Sequence, residues 1–167
     1  KIVNNEFGAY IGNQINLFNE TLKINITIRA DKNENFDLNI SPAASLVYKP
    51  NKKDVLRLSF GSAIRNPTLS DQYLFYNVGR AILIGNLNGH GRKFNENLVT
   101  IESLINYYTP LKRTQDSLNF FSINPIQPEK TKSIEFGYRS IIGNKIYIDA
   151  NFYFSSYTDF IGYKIGA

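Results

Sequence analysis

Few residues in this chain have the type and spacing to do chemistry. Cys is absent, which removes thiolate metal sites, disulfides and a Cys nucleophile. His90 is the single His, so neither a His-based metal centre nor a His-relayed triad can be assembled around a second imidazole. It stands in Gly85-Asn86-Leu87-Asn88-Gly89-His90-Gly91-Arg92, where it reads as a ligand contact in a glycine-rich loop or, more simply, as a solvated loop His. No Gly-Lys-Ser/Thr follows those glycines, so they are not a phosphate loop. Asp31-Lys32-Asn33-Glu34-Asn35-Phe36-Asp37 sets oxygen ligands at alternate positions as calcium loops do, but Phe36 stands where Gly is required and Pro42 where the bidentate Glu belongs. An ordinary polar loop is the better reading. Tyr73, Phe75 and Tyr76 near Arg80 offer faces on which a ligand ring can stack, or else form a small core of their own. Glu135 and Asp149, if they face each other across adjacent strands with Arg139 and Lys145, make an acid/base pair or a ladder of charge along a wall, and the ladder is favoured. No catalytic residue, metal site or cofactor is assigned.

The elements that must position these residues are strands. Leu22-Lys23-Ile24-Asn25-Ile26-Thr27-Ile28-Arg29-Ala30-Asp31 places apolar residues at every even position and polar ones at every odd position, the period of a strand with one greasy and one wet face. The pattern returns in 56–60, 133–139 and 145–154, and more weakly in 6–18 and 36–48. Short connections at 19–21, 49–54 and 143–144 are rich in turn residues. Long ones occupy 65–128, the crossing at 31–36 and the tail from Ser155. If strands alternate in direction, the short connections share one end of the sheet. Short turns at one end and long loops at the other mark an outer-membrane barrel. Asn97 to Tyr108 carries apolar residues at 98, 101, 104, 105 and 108, the spacing of a short helix within the long loop.

The chain has 167 residues with 19 Lys+Arg and 14 Asp+Glu, a net charge of 19 − 14 = +5, and 11 Tyr with 12 Phe. That aromatic content argues against disorder. No window holds the run of about 18 apolar residues that a spanning helix needs, which says nothing against a barrel. Basic residues are scattered, with adjacent pairs such as Lys52-Lys53 and Lys112-Arg113 isolated, so no nucleic-acid partner is assigned. The last strand runs about ten residues, longer than a soluble strand and suited to a tilted membrane crossing. An Arg on the lipid side near the midplane costs roughly 2–4 kcal/mol, so Arg29, Arg57 and Arg139, with Glu135 and Asp149, are expected to face the lumen. Six strands fall short of the roughly eight that a barrel needs to close, and open edges do not survive in lipid. The residues therefore read as one arc of a larger antiparallel transmembrane barrel. A soluble antiparallel sandwich is the alternative that the alternation also permits.

Two stretches carry a family resemblance. Arg57-Leu58-Ser59-Phe60-Gly61-Ser62-Ala63-Ile64-Arg65-Asn66-Pro67-Thr68-Leu69-Ser70-Asp71 resembles the strand and loop start of TonB-dependent outer-membrane receptors, with Ile64 in place of the common Phe and Asn66 in place of a small residue. Asn124-Pro125-Ile126-Gln127-Pro128-Glu129-Lys130-Thr131-Lys132-Ser133-Ile134-Glu135-Phe136-Gly137-Tyr138 resembles the same family's Asn-Pro, Pro-Glu and Glu-x-Gly-Tyr re-entry into the next strand. Arg65, Pro67, Asn124, Pro125, Pro128 and Glu129 then form the base of the loop. The prolines lack a donor and belong at strand ends, and Arg65 is expected beside Glu129.

The resemblance implies a Gram-negative outer-membrane location and a barrel of about 22 strands closed by an N-terminal plug. It implies active import of a scarce ligand (siderophore, cobalamin, oligosaccharide or peptide), with outer-membrane lipids, the TonB complex reached through N-terminal parts, and a surface lipoprotein as partners. It implies no enzymatic activity. The expected organisation is barrel strands over 1–64, a long extracellular loop over 65–130, and barrel strands with the start of the next loop over 131–167. Tyr73, Phe75, Tyr76, Arg80 and His90 are the candidate ligand contacts, the aromatics suited to a sugar or siderophore ring. A structural or secretion-associated barrel subunit that holds protein partners is the second reading.

Overall fold

A computed structural model describes residues 2–109, 118–143 and 145–167. The Lys112-Arg113 pair and Asn144 of the last short turn lie outside the described residues. Four strands open the chain: β1 (Glu6–Leu17), β2 (Leu22–Asn33), β3 (Asn39–Tyr48) and β4 (Val55–Arg65). Short elements follow: α1 (Leu69–Tyr73), β5 (Phe75–Asn77), β6 (Ile82–Ile84), β7 (His90–Gly91), a 3-10 turn (Arg92–Phe94), α2 (Ile101–Tyr108) and β8 (Ser122–Ile123). β9 (Glu129–Ile142) and β10 (Ile146–Thr158) complete it.

The six long strands form one antiparallel sheet in the order β1-β2-β3-β4-β9-β10. The segment between β4 and β9 is inserted without disturbing that order. The chain divides into two compact bodies, Lys1–Asn66 with Pro128–Thr158, and Pro67–Gln127 with Asp159–Ala167. The loop body thus includes the last nine residues, whose Val99–Ala167 backbone hydrogen bonds run both ways, N–H to O, at 2.8 and 3.0 Å.

Register shows why these sequences make this sheet. One row runs Leu17, Leu22, Tyr48, Leu56, Tyr138, Ala150, and the next outward-facing row Ile15, Ile24, Leu46, Leu58, Phe136, Phe152. Residues opposite one another in a sheet point the same way, so the even and odd positions of successive strands assemble into a continuous apolar face and a continuous polar one. Among the described residues no second sheet covers the apolar face, which removes the sandwich reading: Ile11, Phe152 and Phe154 are 76%, 67% and 62% exposed. Apolar side chains in such a wall find their solvent in lipid.

The apolar band also slants. On β1 it runs from Phe7 to Leu17, centred on Gly12, and Gly12 is linked through Thr27, Ala43, Gly61 and Ser133 to Ser155 of β10. On β10 the band runs from Ile146 to Phe154, centred on Ala150, so it has drifted 155 − 150 = 5 residues along the strand. Strands spaced about 4.8 Å and tilted about 40° from a barrel axis drift by about six residues over five steps. The pattern is that of a tilted wall in a flat membrane.

Pro42 lies inside β3, away from the strand ends where a residue without a donor belongs. Its register explains this: pairing with β4 stops at Ala43–Gly61, so the ladder on that side ends beside it. At the opposite end of the sheet Tyr138 Oη and Ser140 Oγ donate to Asp54 Oδ1 at 3.0 and 2.5 Å. With Asn51, these donors hold the Asp54 carboxyl below its usual range, Ser140 contributing most, and so clasp the 49–54 turn to β9.

Phe136→Arg, in the apolar face, is expected to lower the unfolding free energy of the refolded barrel in vesicles by about 2–4 kcal/mol. Glu135→Gln, one residue away on the polar face, is expected to shift it by less than about 0.5 kcal/mol.

Candidate functional site

The polar face holds the five residues expected on the lumen wall, and register separates two that the sequence had suggested as a facing pair. Asp149 stands opposite Arg139, whereas Glu135 stands between Ser59 and Tyr153. Asp149 is instead engaged by Arg57, two strands away, whose Nη2 donates to Asp149 Oδ1 at 2.7 Å and to Asn151 Oδ1 at 3.1 Å. Gly137 makes this reach feasible. It sits between Arg57 and Asn151 in the register, and a Cβ there would lie 2.5 Å from Asn151 Oδ1 and 2.9 Å from Arg57 Nε. The Gly of Glu135-Phe136-Gly137-Tyr138 is therefore a gap through which an arginine braces three strands. No paired acid and base results, because the carboxylate is neutralised by its guanidinium.

A second arginine near the loop end pairs within its own strand instead. Arg29 donates through Nε and Nη2 to Asp31 at 2.7–3.0 Å, and Gly8 on β1 leaves the room, since its Cβ would meet Asp31 Oδ1 at 2.6 Å. Asp31 and Asn33 thus continue the strand: Asn33 Oδ1 accepts from Asn35 N at 2.8 Å, and Asn33 Nδ2 donates to Glu6 Oε1, which also accepts from Asn66 Nδ2 at 3.2 Å. Residues 31–33 are the end of β2, and 34–35 form the turn that follows it. Among the described residues no group of three or more His, Cys, Asp or Glu is placed to hold a metal ion.

At the loop base, Arg65 and Glu129 face each other in register, Nη1 to Oε2 3.6 Å. Glu129 is only 7% exposed, and this oxygen has no hydrogen bond among the described residues, so the guanidinium acts on it through charge. Pro128 belongs to the same body. Pro67, Asn124 and Pro125 fall in the loop body instead. There Asn124 O accepts from Asn86 Nδ2 at 2.7 Å, and Ile126 N donates to Asn86 O at 2.8 Å. The Pro67 carbonyl accepts from the buried Gln72 at 2.7 Å.

The loop body builds its own small framework. Thr68 and Asp71 form a reciprocal capping box that starts α1. Behind it, β5 and β6 pair Phe75 with Ile84 and Tyr76 with Leu83. Tyr73 lies at the end of α1, while Phe75 and Tyr76, 72% and 60% exposed, stand on the hairpin whose turn carries the exposed Arg80. The four are close in sequence, and Phe75 and Tyr76, consecutive on β5, project from opposite faces of the hairpin. His90 reaches the same stretch through Gly85, whose N–H donates to the Leu74 carbonyl at 2.7 Å, and both ring nitrogens are occupied: Nδ1 lies 2.9 Å from Glu96 Oε2 and Nε2 2.9 Å from the Gly85 carbonyl. Both partners are acceptors, so both bonds form only with imidazolium. The Gly85 carbonyl first, and Glu96 second, raise the His90 pKa against the opposing effect of burial. Glu96 is correspondingly lowered by His90. Sequence reasoning missed Glu96, Asn151, Asn66 and Glu6, whose roles depend on register and loop geometry. It quoted Gly137 without its purpose.

A group with a raised folded pKa contributes stability below its unfolded pKa, about 6.5 for His, and loses it as pH rises through the folded value. Protease cleavage near 85–96 is accordingly expected to be slower at pH 5.5 than at pH 8, with the difference abolished in His90→Gln. In the wall, a double-mutant cycle of Arg57→Gln and Asp149→Asn is expected to give a coupling of about 0.5–1 kcal/mol, the pair being partly exposed. In a Gly137→Val background that coupling is expected to vanish.

Comparison with known proteins agrees with this geometry. A family model described as TonB dependent receptor-like, beta-barrel, matches residues 1–166. Among solved structures, the siderophore receptor PirA from Pseudomonas aeruginosa is similar over 92% of this chain at TM-score 0.57 and 14% identity. The match covers 24% of the receptor, so the chain spans about a quarter of that relative's length. No curated protein matches by sequence.

Proposed function

We propose active import of a scarce ligand as the parent protein's function, from the premise that this chain belongs to the TonB-dependent receptor β-barrel family and lies in the Gram-negative outer membrane. The observation that carries the proposal is the family match over a sheet with one lipid-facing and one polar face, interrupted by a separate folded loop body. On this reading the polar face with Arg29, Arg57, Glu135, Arg139 and Asp149 lines the lumen, and residues 67–127 stand outside the cell. Energy is delivered by the TonB complex through parts of the parent outside these residues. The wall binds, guides and excludes; it makes and breaks no covalent bond.

The ligand contacts proposed are Tyr73, Phe75, Tyr76 and Arg80. Exposed rings and a cation in one short stretch of the loop suit a ligand with planar or sugar rings and negative charge, and an iron–siderophore complex is the first to test, oligosaccharide, cobalamin and peptide being the others. His90, held by Glu96 and Gly85, is proposed to shape the loop. A surface lipoprotein would dock on the same loop body.

Ligand uptake by cells carrying the parent receptor is expected to stop when TonB is inactivated while surface binding persists. Phe75→Ala with Tyr76→Ala is expected to weaken binding about tenfold without affecting the heat-dependent gel mobility of the barrel. Uptake independent of TonB would overturn the transport reading, and unchanged affinity would remove the hairpin from the site.

A further inference from the structure

The outward apolar face carries three charged residues among the described strand positions, Lys32, Lys130 and Lys132, and none is acidic. Lys32 is already committed, its Nζ donating to the Phe36 carbonyl. Lys130 and Lys132 are exposed and make no ion pair among the described residues. Register gives them unusual company for a lipid-facing wall. Lys132 stands between Ser62 and Ser156, and Lys130 between Ile64 and Thr158. Three hydroxyls thus flank two ammonium groups on three adjacent strands. The row on the membrane side of Lys132 is Phe60, Ile134 and Phe154, where the apolar band of this part of the wall ends.

That position decides the chemistry. An ammonium one row deeper would cost roughly 2–4 kcal/mol in hydrocarbon, whereas at the band's edge a Lys stem lies along the apolar surface and its head reaches the interface. The edge is the one bearing the long loops, hence the outer leaflet. Two point cations spaced about 6.6 Å along one strand, with hydroxyl donors on both sides and no carboxylate to neutralise them, complement a phosphate ester. We propose that Lys130 and Lys132, with Ser62, Ser156 and Thr158, form a binding site for the phosphate groups of an anionic lipid of the outer leaflet. The wall is thereby anchored against vertical movement at the strand that follows the long loop. The inference rests on the membrane location and is independent of what the parent imports.

The test uses the full-length receptor in mild detergent, titrated with a diphosphorylated diglucosamine lipid and read by native mass spectrometry. Lys130→Gln with Lys132→Gln is expected to weaken binding about 30-fold. Lys130→Arg with Lys132→Arg should retain it, and Lys52→Gln with Lys53→Gln, at the other end of the sheet, should leave it unchanged. The dephosphorylated lipid is expected to bind the unaltered receptor as weakly as the diphosphorylated lipid binds the double Gln variant. This arm needs no variant, so it decides the matter even if the double Gln protein fails to fold. Equal affinity for the two lipids, undiminished binding by a folded double Gln variant, or displacement of the lipid by equimolar inorganic phosphate would each overturn the lipid site.

Discussion

A strand in hydrocarbon has no water to satisfy its backbone, so every N–H and C=O must find a partner in the next strand. That constraint organises the rest of the molecule. It requires strands long enough to cross at a tilt, and β1 to β4, β9 and β10 run 10 to 14 residues. It requires an unbroken ladder, which is why β9 returns beside β4 after the inserted loop body. It also forbids water-seeking side chains on one face, leaving the charged ones little choice but the other. The edges of β1 and β10 fit continuation into further strands of a larger barrel.

A wall with most of its charge on one side must still keep those charges from being a liability. Cross-strand bracing does so. Arg57 spans β9 by passing over Gly137 and meets Asp149 and Asn151, while Arg29 pairs with Asp31 two residues along its own strand, beside Gly8. Each glycine sacrifices strand propensity to let a long cation lie flat against the sheet. The result is a polar surface tied laterally between strands, suited to standing beside another polar body or a hydrated passage.

The strands were legible because period-two alternation is written directly in residue order, and a membrane permits little departure from it. Boundaries were less so: β4 continues through Gly61-Ser62-Ala63 to Arg65, and β9 begins at Glu129, where the residues are too small or too polar for periodicity to register. Ladder pairing carries the strand through those positions. The reach of Arg57 to Asp149, over 92 residues of sequence, was not legible, since it depends on a register that no local pattern states. The His90–Glu96 contact depends on the fold of an irregular loop, where turn chemistry rather than periodicity sets geometry. Pro42 is tolerated inside β3 because the ladder beside it has already ended.

The central claim is that alternate residues of this sheet face lipid and water, and the absence of Cys from these 167 residues makes it directly testable. Single Cys replacements at 58, 59, 60, 134, 135, 136, 152, 153 and 154, introduced into the receptor in intact outer membranes, can be probed with a charged, membrane-impermeant maleimide. Labelling is predicted at 59, 135 and 153 and protection at 58, 60, 134, 136, 152 and 154. Uniform labelling along 134–136 and 152–154, or protection of the polar positions with labelling of the apolar ones, would contradict the account.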